Sequence, residues 1–378
     1  MKPAVAGAAL LCAAFAPASF ADVHVYEIQS LSVLELEIPN AVESEANDVN
    51  DEGRVVGWNR DAAGIRHGFL YRLPGKVTNV TSAIDLLPAE AQGINNSNEV
   101  VGFYEDGSNP RAFFWSDVFG LQFPEGVFDV ESSVANAIND NSRIAGKVVR
   151  QTAGCTYTQQ PVQWATWWVP YQPMFCAAGN SVVQVNDINE SAAVAGTDTD
   201  ITLKVRAFRW NGTKSWVPLI PGASAASFSW GSGINASGAV VGEAETPGGN
   251  RAFYWNGASG SSSVSLGTLA GGNKSAASEV NDQNFVVGYA QTLVPAGGQL
   301  GVALRDRAFI WHADFGMVAL PILAGATPSQ SSCRANAVSS RSNATSNMRV
   351  VGYCTDAQGR KHAVRWTVKA VLVPVLPL

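Results

Sequence analysis

The sequence predicts an all-β protein, a single seven-bladed β-propeller built from seven repeats of about 45 residues. A turn, a short apolar strand and a second strand recur in the same order along the chain. The composition agrees, since only 15% of the residues are charged and glycine occurs 36 times. A period near 45 residues is too long for one rung of a β-helix and has the length of four short strands, which is one propeller blade.

Each repeat opens with a turn whose first residue is almost always asparagine, because this side chain can bond its own backbone two residues further on. The fourth turn position holds glycine or asparagine in four repeats, which suits a left-handed backbone, whereas Ser142 and Ala192 depart from that preference. The first turn residues are Asn50, Asn95, Asn139, Asn189, Asn235 and Asn281, with Ser339 in the seventh repeat.

A short apolar strand that ends in glycine follows each turn. Successive glycines lie 44 to 64 residues apart, and an insertion in the seventh repeat accounts for the longest interval. The repeats therefore start near residues 46, 91, 135, 185, 231, 277 and 335. The glycines are Gly57, Gly102, Gly146, Gly196, Gly242, Gly288 and Gly352.

The second strand of the pattern reads [Arg/His]-[Ala/Gly]-Phe-x-[Trp/Tyr] in most repeats. In Arg251–Trp255 the period of two places Phe253 and Trp255 on one face, and Ala252 and Tyr254 on the other. Because both faces of a blade pack against neighbouring sheets, we expect these residues in the core. The opening arginines (Arg111, Arg206, Arg251 and Arg307) are expected to stack on aromatics or bond carbonyls, with anion binding in a channel as the alternative.

Together with the preceding Ile-Asn turn and Val-Val-Gly strand, this strand resembles the bacterial extracellular HAF-repeat family, named after its His-Ala-Phe strand. The resemblance covers roughly residues 46 to 366. It implies a secreted, propeller-like repeat protein, and it supplies no catalytic residues.

The first 21 residues have the pattern of a secretory signal peptide. Lys2 precedes an apolar run, and Ser19-Phe20-Ala21 is a small-x-small cleavage site. Residues 22–378 then form the propeller, in the periplasm or outside the cell, with no later segment apolar and long enough to cross a membrane. Two segments, Val23–Glu37 and Thr367–Val373, can each complete the last blade, and the sequence leaves both open.

Four cysteines remain after cleavage of the signal. Cys333 and Cys354 flank a predicted hairpin, and Cys155 and Cys176 flank another, so we expect two local disulfides. A metal site is the alternative interpretation, but no Cys-x-x-Cys pair or nearby histidine supports it.

Several functional classes are disfavoured by the sequence. A net charge of −6 without runs of lysine or arginine argues against a nucleic-acid partner. No nucleophile elbow, His-Glu-x-x-His helix or phosphate loop is present. No cofactor is predicted, and calcium at the Asn-Asp pairs is a weak alternative because the acids are isolated. His67 and His362 occupy the strand position that arginine fills elsewhere, which favours a structural role.

The aromatic residues that break the repeat are the candidate binding residues. Trp167, Trp168 and Tyr171 lie together in the most divergent repeat, inside the predicted Cys155–Cys176 loop. A fixed aromatic surface suits stacking on a sugar or packing against a protein. The sequence thus predicts an exported binding or scaffold module for a polysaccharide or a surface protein. The alternative is a polysaccharide-acting enzyme with its site on the propeller axis.

Overall fold

Each repeat folds into one four-stranded antiparallel sheet in the structure, a computed structural model that describes residues 24–107, 109–150, 159–175, 183–296, 301–340 and 347–374. Seven such sheets follow one another around a ring, which confirms the predicted seven-bladed β-propeller. The predicted signal segment, residues 1–21, lies outside these ranges. No helix in them is long and apolar enough to cross a membrane.

The strands are numbered in chain order, and the first, β1 (His24–Glu35), belongs to the last blade. Blade 1 contains β2 (Glu43–Val49), β3 (Val55–Arg60), β4 (Arg66–Arg72) and β5 (Lys76–Asn79), followed by a 3-10 turn at Ser82–Ile84. Blade 2 contains β6 (Ala89–Ile94), β7 (Val100–Asp106), β8 (Asn109–Ser116) and β9 (Gly120–Gln122). Blade 3 contains β10 (Ser132–Ile138), β11 (Ile144–Val149), β12 (Gln159–Trp164) and β13 (Gln172–Pro173).

The remaining blades repeat this order. Blade 4 contains β14 (Gln184–Ile188), β15 (Val194–Thr199), β16 (Val205–Trp210) and β17 (Lys214–Trp216). Blade 5 contains β18 (Ser229–Ile234), β19 (Val240–Ala244), β20 (Arg251–Trp255) and β21 (Val264–Ser265). Blade 6 contains β22 (Ser275–Val280), β23 (Val286–Pro295), β24 (Val302–His312) and β25 (Gly316–Ala319). Blade 7 contains β26 (Cys333–Val338), β27 (Met348–Thr355) and β28 (Lys361–Pro374), with β1 as its outermost strand.

Ring closure uses the N-terminal segment, which settles the two alternatives left by the sequence. β1 pairs antiparallel with β28, so that Val33 lies opposite Trp366. The segment Thr367–Val373 instead prolongs β28 and cannot supply a separate strand. The first and last described strands therefore belong to the same sheet, which completes blade 7 with four strands.

The second strand was expected to end at its glycine but continues past it, so that Gly242 lies in the middle of β19. This glycine is required by a bulge in the first strand. In blade 5 the register of β18 shifts between Gly231 and Gly233, which turns the carbonyl of Trp230 toward β19. A β-carbon on Gly242 would lie only 1.9 Å from that carbonyl oxygen. The same close approach occurs at Gly57, where the Glu45 carbonyl oxygen would be 2.0 Å away.

In blades 1 to 6 the turn after the first strand keeps a left-handed fourth residue even where the sequence disfavours it. Ser142 has φ 58° and Ala192 has φ 63°, close to φ 64° at Asn98. A left-handed conformation costs a residue with a β-carbon about 1–2 kcal/mol. The asparagine side chain offsets this cost, since Asn139 Oδ1 accepts hydrogen bonds from the amides of Asn141 and Arg143 at 3.1 and 2.9 Å.

The same asparagines join neighbouring blades in a belt around the axis. Asn139 Nδ2 donates to the carbonyl oxygen of Asn189 at 2.9 Å, which is a bond from blade 3 to blade 4. Equivalent bonds start from Asn50, Asn95, Asn189, Asn235 and Asn281. Blade 7 reaches blade 1 through Asn336 Nδ2, which donates to the Ala46 carbonyl oxygen at 2.9 Å.

In the third strand of blade 5, three of the four residues expected in the core are buried, and Tyr254 is half-buried. Phe253 is 1% exposed and Ala252 is fully buried. Arg111 Nη1 donates to the carbonyl oxygens of Val127 and Val130 at 2.9 and 2.6 Å, in the segment that leads to the next blade. Arg206, Arg251 and Arg307 bond carbonyls in the same way, so these guanidinium groups hold blades together.

The histidines at this position pair with an aspartate six residues earlier. His67 Nε2 lies 3.1 Å from Asp61 Oδ2, and His362 Nε2 lies 3.3 Å from Asp356 Oδ2. Arg206 Nε lies 3.2 Å from Asp200 Oδ2 in the equivalent arrangement. The histidines thus take the structural place of the arginine.

One of the two predicted disulfides falls within the described residues and is confirmed. Cys333 and Cys354 are directly opposite each other in β26 and β27, and their Sγ atoms are bonded at 2.04 Å. Both are buried. Cys155 and Cys176 lie outside the described ranges, so their pairing stays a prediction.

Candidate functional site

The two faces of the ring differ in the loops that they carry. The first strand of each blade runs toward its asparagine turn, and the third strand runs in the same direction because adjacent strands are antiparallel. The turns after the first and third strands therefore share one face, here called the turn face. The turns after the second strands lie on the opposite face, here called the entry face.

Trp167 and Trp168 lie on the turn face, in the connection between β12 and β13. Trp168 is 57% exposed. The Trp167 ring is half-buried, stacks on Phe114 with 5.8 Å between ring centroids, and meets the edge of Trp168 at 5.4 Å. The structure brings these two predicted residues together, with Trp167 supporting and Trp168 presented to solvent.

A residue of the neighbouring blade extends this surface. Phe119, in the turn between β8 and β9, lies 5.7 Å from Trp167 between ring centroids and is 51% exposed, and the adjacent Val118 is 81% exposed. Val118, Phe119, Trp167 and Trp168 are here called the aromatic patch. Sequence reasoning missed Phe119, although two large apolar residues in a turn where polar ones are expected could have indicated it.

Tyr171, the third predicted residue, does not join the aromatic patch. Its ring meets the edge of Trp164 at 5.9 Å and packs beside Gly126. Its hydroxyl accepts a hydrogen bond from Arg150 Nη1 at 3.1 Å. Tyr171 therefore supports blade 3 from another side.

Polar groups border the aromatic patch and fix its turns. Asp117 is exposed and pairs with Arg72 of blade 1, with 2.6 Å between Oδ2 and Nη2. Gln122 Nε2 donates to the Phe119 carbonyl oxygen at 2.7 Å, and the amide of Glu125 donates to the Trp167 carbonyl oxygen at 2.8 Å. The bonds to the Phe119 and Trp167 carbonyl oxygens fix the backbone of the two turns that carry the aromatic rings.

A second candidate site lies on the propeller axis. Three carboxylates, Asp48, Asp187 and Glu279, occupy equivalent positions of the first strands of blades 1, 4 and 6. The other four blades carry only glycine or alanine there: Gly93, Ala137, Gly233 and Ala337. The small residues leave room for the acids, which narrow the axial channel at this level.

Backbone amides of the ring hold two of these acids. Asp48 Oδ2 accepts a hydrogen bond from the amide of Ile94 in blade 2 at 2.8 Å. Asp187 Oδ2 accepts one from the amide of Ile234 in blade 5 at 2.7 Å. Each carboxylate therefore also links its blade to the next.

The enclosed position of these carboxyls makes ionisation unfavourable. Desolvation raises the pKa of Asp48 to about 6, against its ordinary 3.8, although amide hydrogen bonds lower it. Desolvation likewise raises the pKa of Asp187 and of Glu279. The charge of Asp48 adds to the rise at Asp187, and the charges of Asp187 and Asp48 add to the rise at Glu279. The side chains of Asp187 and Glu279 interact directly across the channel.

The acids divide the channel into two cavities. The one toward the entry face, here called the vestibule, has a volume of about 560 Å³. The one toward the turn face has a volume of about 190 Å³ and is bordered by Asp51, Asp140, Glu190 and Asp282. No histidine is among the described residues that line either cavity.

The aspartates of the Asn-Asp turns accept hydrogen bonds from backbone amides of neighbouring blades. Asp140 Oδ1 accepts a hydrogen bond from the amide of Asn96 at 2.7 Å, and Asp51 Oδ1 accepts one from the amide of Ser340 at 2.8 Å. Within the described part of the chain, no group of three or more histidine, cysteine, aspartate or glutamate side chains is arranged to hold a metal ion.

Comparisons with known proteins give no family. No family model and no curated protein matches the chain. Among solved structures, the fucose-specific lectin from Aleuria aurantia matches at 11% identity and a TM-score of 0.37, over 77% of this chain and 100% of that one. AofleA from Arthrobotrys oligospora matches at 9% identity and a TM-score of 0.42, over 78% of this chain and 90% of that one.

TolB from Acinetobacter baumannii matches at 9% identity and a TM-score of 0.40, over 86% of this chain and 68% of that one. These likenesses are too distant to bear on the ligand or the activity of this chain. The fold rests on the seven sheets themselves.

Proposed function

We propose that this chain is an exported β-propeller that binds a neutral extracellular polysaccharide through the aromatic patch. The observation that carries the proposal is the exposed Trp168 ring, seated on Trp167 beside the exposed Phe119. Aromatic rings with one open face are suited to stacking on the apolar face of a pyranose ring. The polar Asp117 and Gln122 border the same turn and supply partners for sugar hydroxyls.

The rigidity of the patch favours binding. Trp167 stacks on the buried Phe114, and both turns are fixed by backbone hydrogen bonds. A surface that is already ordered loses little conformational entropy when it binds. The ligand is expected to be neutral, because the chain carries a net charge of −6 and Asp117 adds a carboxylate beside the patch.

Export is supported by the sequence pattern of residues 1–21 and by the buried Cys333–Cys354 disulfide, which is typical of an oxidising compartment. The alternative is a polysaccharide-acting enzyme at the axis, which would use Asp48, Asp187 and Glu279.

The test is retention of the mature protein by neutral polysaccharides in affinity electrophoresis. The wild type should be retarded by at least one of them, and Trp168→Ala should lose that retardation. Ile201→Ala is the matched control, because Ile201 is 95% exposed and lies on the entry face between β15 and β16. Retardation that survives in Trp168→Ala, or none with any polysaccharide tested, would refute the proposal.

A further inference from the structure

The vestibule on the entry side of the axial channel is lined almost entirely by polar side chains. Its wall contains six amides from the first strands, which are Asn47, Gln92, Asn136, Gln184, Asn186 and Asn336. The carboxylate of Glu45 also lies in the wall, where it is paired with Lys361. Ser232 and Ser278 occupy the same level in blades 5 and 6. The carboxylates of Asp48, Asp187 and Glu279 form its floor.

The hydrogen bonds of the ring decide which amide atoms remain for a ligand. Asn136 Nδ2 donates to the Val185 carbonyl oxygen at 2.5 Å, and Asn186 Nδ2 donates to the Gly231 carbonyl oxygen at 2.7 Å. The nitrogens of Asn47 and Asn336 donate in the same way to the carbonyl oxygens of Ala91 and Ala46. Gln92 Nε2 instead donates to the Glu90 carboxylate of its own strand at 3.0 Å. Within the described ranges no donor reaches the oxygens of these six amides, so they are left to the cavity.

The vestibule therefore offers an excess of acceptors. Six amide oxygens stand above the three floor carboxyls, and none of these three has a lysine or arginine bonded to it among the described residues. A cavity of this kind favours a ligand that brings hydrogen-bond donors and a positive charge. The volume of about 560 Å³ has room for a small molecule rather than only for a bare ion.

One cation lies on the wall of the vestibule. Lys147 projects from β11, and burial lowers the pKa of its ammonium group. No carboxylate in the described part of the chain forms an ion pair with it. It is placed to donate to an oxygen of a ligand whose positive group faces the acids.

We propose that the vestibule binds a small polyhydroxylated primary amine, of the amino-sugar class. The ammonium group of the ligand lies against Asp187 and Glu279, its hydroxyls donate to the amide oxygens, and Lys147 donates to one of its oxygens. This site is separate from the aromatic patch and does not depend on it. Its floor consists of the acids Asp48, Asp187 and Glu279, at the strand position that is glycine or alanine in the other four blades.

The experiment is calorimetric titration of the mature protein with glucosamine, glucose and N-acetylglucosamine. Glucosamine should bind at least tenfold more tightly than the other two, since only its nitrogen is a cation. Glu279→Gln should reduce glucosamine affinity at least tenfold. Glu190→Gln is the matched control, because it makes the same change in the other cavity, and it should leave the affinity unchanged.

A second measurement uses the wild type alone, in case Glu279→Gln perturbs the fold. An ammonium group favours the ionised carboxyls, so glucosamine binding should release protons, seen as heats that differ between buffers of unlike ionisation enthalpy. Equal affinity for glucosamine and glucose would overturn the proposal. Unchanged affinity in folded Glu279→Gln would also overturn it, as would binding without proton release.

Discussion

Asn139 donates its side-chain amide to the Asn189 carbonyl oxygen at 2.9 Å, across the boundary between blades 3 and 4. The oxygen of the same amide holds its own turn by accepting from the Arg143 amide at 2.9 Å. One side chain therefore stabilises both the local turn and the contact between blades. This double use explains why asparagine recurs at the position in six repeats.

Asn139→Ala should destabilise the protein by about 1–3 kcal/mol, because a buried carbonyl and a turn amide both lose their partner. The free energy of unfolding in urea measures the effect. Asn141→Ala is the control, since Asn141 bonds Glu190 at the exposed surface and should change the stability by less than about 0.5 kcal/mol. Equal losses in the two variants would show that the belt contributes nothing.

Much of the fold was predictable because the residues that recur in each repeat are required by the local structure at their positions. Three features are recognisable because a requirement within one blade explains each of them. They are the turn asparagines, the glycine opposite the bulge and the strand that contains Phe253. Ring closure was not predictable in the same way. Both terminal segments alternate like strands, and only the pairing of Val33 with Trp366 shows which one is used.

The sites were less predictable because their parts come from different repeats. The predicted group of Trp167, Trp168 and Tyr171 was split, since Tyr171 turns to Trp164. Phe119 comes from the preceding blade, and nothing in the linear order places it beside Trp167. The channel acids had a usable signal, namely an acid in three repeats at a position that is glycine or alanine in four.

Phe253→Ala should cost about 3–5 kcal/mol, since Phe253 is 1% exposed and lies in the core between blades. The loss combines buried apolar area with the cavity left behind. Val264→Ala is the control, because Val264 is 52% exposed in the neighbouring strand β21 and should change stability little. Thermal unfolding of both variants decides the matter, and an unchanged melting temperature in Phe253→Ala would refute the core assignment.

Reduction of the Cys333–Cys354 disulfide should lower the unfolding free energy by roughly 3 kcal/mol in the chain-entropy model, because it closes a loop of 21 residues. The double variant Cys333→Ala with Cys354→Ala should reproduce the loss in non-reducing buffer. Peptide mapping without reduction also tests the predicted Cys155–Cys176 pair. Crossed pairs or free thiols at these positions would contradict the predicted connectivity.

The stability of the protein should rise as the pH is lowered from about 8 to about 5. Desolvation raises the pKa of Asp48 to about 6, and the pKa values of Asp187 and Glu279 are raised as well. A carboxyl with a raised pKa binds its proton more tightly in the folded state, so folding gains stability as the pH falls through that pKa. The melting temperature is expected to increase by about 2–4 °C.

Glu279→Gln should flatten this dependence, because it removes one of the interacting charges. Below about pH 4 the trend should reverse. Desolvation raises the pKa of Asp200, but hydrogen bonds lower it further, to about 2. Below about pH 4 the unfolded chain therefore takes up a proton on Asp200 that the folded state does not, and the unfolded state gains stability. A melting temperature that falls steadily from pH 8 to pH 5 would contradict the role of the channel acids.

The two tryptophans of the aromatic patch should separate stability from binding. Trp167 stacks on the buried Phe114 and touches Phe119 and Trp168, so Trp167→Ala should cost about 2–4 kcal/mol as well as binding. Trp168 is 57% exposed, so Trp168→Ala should leave the unfolding free energy within about 0.5 kcal/mol of the wild type. A loss of polysaccharide retention in Trp168→Ala would then reflect the lost contact between this ring and the polysaccharide, without a change in stability. If Trp168→Ala is as destabilised as Trp167→Ala, the ring is part of the core and the assigned binding surface is wrong.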